Sequence, residues 1–325
     1  MATALMISNI GGPDSLDAVR PYLSNFFRDP DIIDIPMPSI IRERFARWLA
    51  KKREPESKAI YEKIGGKTPL TAITQKQAAL LEESLNATGV DEFRVFPAMR
   101  YWHPLIDDVW REIVANGFKR LVVVTLFPFY SKSTTGSLVK HIEYLNRSKD
   151  FDGENLIIID RYGDHPAFVK AMVEQIKRAL REDTVSNEEP VELLLSAHSI
   201  PLRLIKKGDP YRDEVERSVE AIKSLLPNSV GLHLSYQSKL GPVKWLEPAT
   251  SAKIDELAEK GVKHLLVYPL GFVADNSETV YEIGMFFKDR ALNKGIKTFR
   301  RIGALNTDAL FIDALKQIVI EKWSN

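Results

Sequence analysis

The chain of 325 residues contains no cysteine. This absence excludes disulfide bonds, thiolate zinc sites, a catalytic thiol and any iron–sulfur cluster bound by cysteine. Any metal that the protein handles must therefore be bound through nitrogen and oxygen atoms.

The sequence also lacks a charge excess and a long apolar run. It has 45 basic and 44 acidic side chains, a formal net charge of +1, which does not indicate a nucleic-acid-binding surface. No apolar stretch reaches the roughly 18 residues that a membrane-spanning helix needs. The first residues follow a strand pattern, without the basic start and small-residue cleavage site of a signal peptide. These features predict a cytoplasmic protein without a nucleic-acid partner.

Common nucleotide and hydrolase motifs are missing as well. No Gly-x-Gly-x-x-Gly follows a strand-like run, and no serine lies in a Gly-x-Ser-x-Gly turn. Gly66, Lys67 and Thr68 resemble the end of a phosphate-binding loop. However, Tyr61 stands where that loop requires glycine, and no strand precedes it. The sequence gives no support for a dinucleotide enzyme, a P-loop protein or a serine hydrolase.

Apolar runs divide the chain into two halves with the same plan. Each half has four strand-like runs separated by helix-length segments. The runs are continuous rather than alternating, which is typical of parallel strands buried on both faces. We predict an α/β protein with two similar doubly wound domains, each with a parallel four-stranded sheet. The runs cover residues 4–10, 93–99, 120–129, 155–160, 191–197, 230–236, 264–273 and 297–302.

A polar segment at residues 181–190 contains turn formers and few apolar residues. We place the domain boundary there. Residues 1–184 then form the N-terminal domain and residues 185–304 the C-terminal domain. The last helix, from Asp308 to Trp323, is predicted to pack back on the first domain, so that residues 305–325 belong to it.

His198 lies at the carboxyl end of a predicted strand, where parallel sheets handle their ligands. A histidine there can also simply bond to a nearby carbonyl. A later helix begins with Asp275, Glu278 and Glu282. A capping box and the helix dipole explain the first two acids. They do not explain Glu282, which shares a face with Glu278. Imidazole and carboxylates together indicate metal and proton chemistry.

Seven segments resemble the motifs of ferrochelatases in residue type, order and spacing. The resemblance extends from about residue 4 to Asn306 and so covers nearly the whole chain. The segments are Asn9–Pro13, Tyr61–Leu70, Tyr130–Ser137, Leu195–Pro201, Gly208–Tyr211, Tyr236–Pro248 and Pro269–Ile283.

The resemblance implies a chelatase-like fold with an active-site cleft between the two domains. It implies a lyase of heme biosynthesis, of the bacterial type without an iron–sulfur cluster. The expected reaction is insertion of ferrous iron into protoporphyrin IX to give protoheme, with release of two protons. The partners are then the porphyrin and ferrous iron, and no cofactor is tightly bound.

The resemblance also implies residue roles. His198 and Glu278 are expected to form the metal site, with Asp275 and Glu282 as an adjacent acidic path for protons or metal. Whether His198 accepts a proton, binds iron or does both in turn stays open. The residues expected to hold the porphyrin are Ile10, Lys63, Arg100, Tyr130, Ser131 and Trp245.

Four positions depart from the family pattern. Ile10 stands where other members have methionine or tyrosine, so it cannot be an axial ligand. Asn276 replaces a histidine of some members. Glu62 and Lys63 replace two arginines, so propionate binding there depends on Lys63 or shifts to Arg100.

Residues 36–53 have two interpretations. Ile41, Phe45, Trp48 and Leu49 share one helical face, surrounded by arginine and lysine. The face either packs in the core or forms a lid that touches porphyrin or an anionic membrane surface, which would place the protein at the membrane periphery. In length this segment resembles that of family members using protoporphyrin more than that of short-lid relatives using coproporphyrin III, so the resemblance implies protoporphyrin. A chelatase for another tetrapyrrole or metal, and a porphyrin or heme carrier without chemistry, are the alternative functions.

Overall fold

The computed structural model describes residues 2–182, 190–239, 241 and 243–324. All eight predicted strand runs contain a strand, which confirms the α/β class. The runs at 120–129 and 264–273 continue past their strands into the loops that follow. The strands are β1 (Thr3–Asn9), β2 (Phe93–Met99), β3 (Leu121–Thr125), β4 (Leu156–Ile159), β5 (Val191–His198), β6 (Gly231–Gln237), β7 (His264–Leu270) and β8 (Thr298–Arg301).

The strands form two parallel sheets of four strands with the same plan. The first has the order β2-β1-β3-β4, and the second has the order β6-β5-β7-β8. In each sheet the first strand in sequence is central and the chain then crosses to both sides, so the prediction of two similar doubly wound halves is confirmed.

Helices connect successive strands. They are α1 (Val19–Arg28), α2 (Ser39–Lys63), α3 (Leu70–Asn86), α4 (Ile106–Ala115), α5 (Thr135–Leu145), α6 (Pro166–Glu182), α7 (Leu202–Lys206), α8 (Tyr211–Leu225), α9 (Thr250–Glu259), α10 (Lys288–Asn293) and α11 (Ala309–Trp323). A π-helix, Glu278–Phe287, runs directly into α10.

Each sheet has its own hydrophobic core. In the first, Met6 and Val123 of the sheet pack with Trp110 and other residues of the covering helices. In the second, Val267 packs with Ile283 of the π-helix. Continuous apolar strands are buried on both faces because helices cover both sides of a sheet of this kind.

The chain forms two compact units, Met1–Tyr162 with Ile312–Asn325, and Gly163–Phe311. Trp323 of α11 stacks edge-on against Phe93 at 5.9 Å, and Arg120 donates to its carbonyl (3.1 Å). The predicted boundary between residues 184 and 185 lies outside the described residues.

Candidate active site

The imidazole of His198, the last residue of β5, meets the first carboxylate of the π-helix. Nδ1 of His198 and Oε2 of Glu278 are 2.8 Å apart. The Tyr211 hydroxyl donates to the carbonyl of His198 (2.8 Å), and the Phe272 ring lies edge-on to the imidazole at 6.5 Å. The His198 side chain is 39% exposed and that of Glu278 is 34% exposed. The pair is thus held by protein contacts yet accessible to a ligand.

The surrounding charges favour an imidazolium next to a carboxylate. Burial alone would lower the pKa of His198, but the charge and hydrogen bond of Glu278 and the charge of Glu282 raise this pKa above its ordinary 6.5. Burial alone would raise the pKa of Glu278, yet the charge and hydrogen bond of His198, with hydrogen bonds from Ser238 and Gln237, hold it below its ordinary value. Within the described ranges, Nε2 of His198 has no hydrogen-bond partner. This nitrogen is the one available to a proton or metal.

Glu282 and Glu278 are joined by Ser238, a residue to which the sequence analysis assigns no role. The Ser238 amide donates to Oε1 of Glu282 (2.9 Å), and its hydroxyl contacts Oε2 of Glu282 and Oε2 of Glu278, the latter at 3.2 Å. Burial and the charge of Glu278 raise the pKa of Glu282. The Tyr236–Pro248 motif pointed to this segment, but not to this residue.

Asp275 lies in a separate cluster. Its carboxylate accepts hydrogen bonds from Arg301 (2.6 Å), Asn306 (2.9 Å) and Thr279 (2.7 Å), and the Asn306 side chain accepts one from the Asp275 amide (2.8 Å). The prediction grouped Asp275 with Glu278 and Glu282. Its hydrogen bonds connect the beginning of the π-helix to the end of β8, and its place in an acidic path stays a prediction.

Asn276 also acts on the first turn of the π-helix. Its side-chain oxygen accepts from the amides of Glu278 (2.8 Å) and Thr279 (3.1 Å). These are amides that a helix start leaves without an intrahelical partner. Asn276 therefore has a structural reason to be a short polar residue. Asn276, rather than Asp275, caps the start of this helix.

Trp245 lies on a segment that runs beside the loop after His198. Residues Pro201 and Trp245 form an isolated antiparallel bridge, and the Leu246 amide donates to the carbonyl of Ile200 (3.0 Å). The Ser199 hydroxyl donates to the Leu246 carbonyl (3.2 Å). The second unit thus pairs Trp245 with Pro201, three residues after His198.

Ile10 and Arg100 follow the neighbouring strands β1 and β2. The Arg100 amide donates to the carbonyl of Asn9 (2.9 Å), which brings the two positions to the same end of the sheet. The Arg100 guanidinium, however, is bound to Asp29 (3.0 Å), whose side chain is only 2% exposed. Tyr101 and Ser137 donate to the same Asp29 oxygen. A propionate at Arg100 would have to share it with this carboxylate.

Tyr130 and Ser131 lie in the loop between β3 and α5. The Arg161 guanidinium stacks on the Tyr130 ring at 4.6 Å from its centroid. Ser131 is buried, and its carbonyl accepts the Gly136 amide (2.9 Å) where α5 begins. Lys63, the last residue of α2, is exposed at the surface of the same unit.

The Asn9–Pro13 motif has a packing role. A Cβ on Gly12 would lie 2.9 Å from Cγ2 of Thr68, and Gly11 has a φ of +81°. The Thr68 amide donates to the carbonyl of Pro13 (2.8 Å). The motif therefore holds the Tyr61–Leu70 segment against the end of β1, and larger residues would separate them.

The sequence model of the ferrochelatase family matches residues 2–323. The chain is 41% identical to the ferrochelatase of Geotalea uraniireducens strain Rf4, over 98% of this chain and 97% of that protein. It is 39% identical to the ferrochelatase of Aquifex aeolicus strain VF5, over 98% and 99%. The chain belongs to the ferrochelatase family. As a ferrochelatase it is an enzyme of heme biosynthesis, a lyase that forms bonds between nitrogen and metal.

Two solved structures share the fold of this ferrochelatase. SirB from Bacillus subtilis with Fe3+ matches with a TM-score of 0.55 and 15% identity, over 77% of this chain and 90% of that chain. CbiX, the terminal enzyme for biosynthesis of siroheme in denitrifying bacteria, matches with a TM-score of 0.53 and 11% identity, over 98% of both chains. The neighbours confirm the chelatase-like fold. Within the described residues, none of the helices combines the length and apolar character that crossing a membrane requires.

Proposed function

We propose that this ferrochelatase inserts ferrous iron into protoporphyrin IX, forming protoheme and releasing two protons. The observation that carries the proposal is the His198–Glu278 pair, 2.8 Å apart, accessible, and at the carboxyl end of a parallel sheet. Imidazole and carboxylate are suitable ligands for ferrous iron. No group of three or more histidine or acidic side chains gathers anywhere in the described residues to hold a metal, so the proposed site is a two-ligand site. A site with only two protein ligands leaves positions open for the porphyrin nitrogens.

The hydrogen bond at Nδ1 decides what His198 can do. When the ring is neutral, a proton on Nδ1 is shared with Glu278 and the lone pair is on Nε2. Nε2 then accepts a pyrrole proton or binds the incoming ion. Glu282 is a second proton acceptor in the same network, because burial and the charge of Glu278 raise its pKa. His198 and Glu282 can thus take up the two protons that metal insertion displaces.

An anaerobic assay tests the proposal. The purified protein is mixed with ferrous iron and protoporphyrin IX, and the Soret band is followed. We expect turnover that falls by about a hundredfold or more in His198→Ala and Glu278→Gln, because a positioned acid or base contributes at least that much. Porphyrin fluorescence quenching should show retained binding in both variants.

His233 provides a matched control. It forms a second histidine–glutamate pair with Glu192 on the same sheet, at 2.7 Å and comparably accessible. Glu192 lies near the beginning of β5, whereas His198 is its last residue. His233→Ala should keep normal turnover. Normal turnover in His198→Ala would contradict the site.

The same assay distinguishes the other candidate functions. Coproporphyrin III and sirohydrochlorin replace protoporphyrin in parallel reactions. Faster turnover of either one would reassign the substrate. Tight porphyrin binding without metal insertion under any condition would indicate a carrier.

We further propose that residues 36–53, which include the first part of α2, contact an anionic membrane surface. Ile40 is 68% exposed, Ile41 56% and Trp48 54%. Leu49, predicted on the same face, instead packs with Ala46 and Ala50 against α1. The exposed apolar side chains are accompanied by exposed basic residues, which suits anionic lipid. These basic residues are Arg44, Arg47, Lys51 and Lys52.

Vesicle flotation tests this contact. The protein is mixed with phosphatidylcholine vesicles with and without phosphatidylglycerol. We expect binding only to the anionic vesicles and its loss in Trp48→Glu. Leu225→Glu, at a residue 50% exposed on α8, is the control and should bind like wild type. Unchanged flotation of Trp48→Glu would contradict the proposed membrane contact.

A further inference from the structure

Ser238 has a backbone conformation that serine rarely adopts. It follows the last residue of β6 and has a φ of +66°. This left-handed region is unfavourable for residues with a Cβ, and glycine or asparagine is the usual occupant. A serine here therefore indicates that its side chain is needed.

The conformation lets one residue contact two carboxylates. The Ser238 amide and hydroxyl both contact Glu282, one at each carboxylate oxygen. The same hydroxyl is 3.2 Å from Oε2 of Glu278, the oxygen that contacts His198. Glycine would preserve the amide contact but lose both hydroxyl contacts.

A buried chain of hydrogen bonds connects Ser238 to the central strand β5. The Ser196 hydroxyl donates to the side-chain oxygen of Gln237 (2.8 Å), and the side-chain nitrogen Nε2 of Gln237 is 3.5 Å from the Ser238 hydroxyl. Ser196 and Gln237 are both buried. The hydroxyl is thus oriented from the sheet on one side and contacts the π-helix carboxylates on the other.

We propose that Ser238 is a positioning residue for metal insertion, which holds Glu278 and Glu282 in the orientation that His198 requires. The two glutamates are one helical turn apart and repel each other when both are charged. Without the hydroxyl, Glu278 keeps only its contacts with His198 and the Gln237 side chain and is freer to rotate away. This inference rests on the proposed function, because it assigns the glutamates to the reaction.

Two substitutions distinguish the effect of losing the hydroxyl from the effect of the positive φ. Ser238→Gly removes the hydroxyl and suits the positive φ, whereas Ser238→Ala removes the hydroxyl and keeps the unfavourable φ. We expect kcat for iron insertion to fall about tenfold or more in both, since small displacements of reacting groups have effects of this size. KM for the porphyrin should change less than about twofold. The unfolding midpoint of Ser238→Gly should equal or exceed that of wild type.

Ser218→Ala is the matched control. Ser218 is a buried serine of the same unit, but it lies on α8, and within the described residues its hydroxyl has no hydrogen-bond partner. It should keep wild-type kcat. A Ser238→Gly variant with wild-type kcat would overturn the proposal, and so would a loss of kcat that merely follows a loss of stability.

A crystal structure of Ser238→Gly provides a readout that does not depend on turnover. We expect Glu278 to leave His198 or Glu282 to adopt another rotamer. Unchanged side chains would overturn the positioning role even if wild type inserts no metal into protoporphyrin. Failure of the proposed function alone would instead appear as an inactive wild type with displaced glutamates in the variant.

Discussion

Replacing Asp275 tests whether this residue supports the π-helix or takes part in the reaction. Its side chain is 13% exposed and accepts hydrogen bonds from Arg301, Asn306 and Thr279. In Asp275→Ala the Arg301 guanidinium, 23% exposed, loses its carboxylate. Removing one partner of a fully buried ion pair costs about 3–5 kcal/mol. Because Arg301 retains some contact with water, we expect the lower end, about 3 kcal/mol.

Glu182→Ala is the matched control. Glu182 pairs with Arg300, the neighbour of Arg301 in β8, but the two side chains are 56% and 39% exposed. Exposed pairs contribute about 1 kcal/mol or less. Urea unfolding measures both variants, and hydrogen exchange of peptides from residues 264–306 shows whether the loss lies in the second unit.

A role of Asp275 in the reaction gives a different result. Asp275→Ala would then lose kcat with a stability loss below about 1 kcal/mol. That outcome would refute the structural interpretation and return Asp275 to the acidic path that the sequence predicted.

Three further predictions concern other parts of the molecule. Asp29→Ala leaves the largely buried Arg100 without its partner and should cost about 3 kcal/mol in urea unfolding, and a loss below about 1 kcal/mol would contradict this. Gly12→Ala forces a methyl group to 2.9 Å from Thr68 and should cost about 1–3 kcal/mol, whereas unchanged stability would mean that the segments separate freely. Zinc binding to the porphyrin-free protein, measured by calorimetry between about pH 6 and 8, should strengthen with pH past 6.5, because the raised pKa of His198 keeps a proton where metal must bind. A pH-independent affinity would argue against metal binding at this ring.

The strands and the order of their motifs were predictable because both depend on local patterns. A strand buried on both faces is mostly apolar rather than alternating, and β5 and β7 both have this pattern. His198 was found for the same reason, since it terminates one of them. The glutamates were found from their spacing, which puts Glu278 and Glu282 on one face of an α-helix.

The partners of the predicted residues were not predictable, because they come from distant positions. Asp275 pairs with Arg301, 26 residues later, and Arg100 pairs with Asp29, 71 residues earlier. Spacing on one helix gives no information on such pairs. The positive φ of Ser238 also has no signal in the sequence, since serine is not the residue that marks left-handed turns.

The site itself depends on the strand order of the second sheet. Ser238 follows His198 by 40 residues, and Glu278 follows Ser238 by 40, so each step spans about one strand-and-helix unit. Parallel neighbours lie about 4.8 Å apart, and their carboxyl ends meet at the same edge. β5 lies between β6 and β7. His198 at the end of β5, Ser238 after β6 and Glu278 beyond β7 therefore come together, and Glu278 lies within hydrogen-bond distance of the other two. The same motifs on a sheet with β5 at its edge would not meet, so the chemistry requires both these residue types and this order.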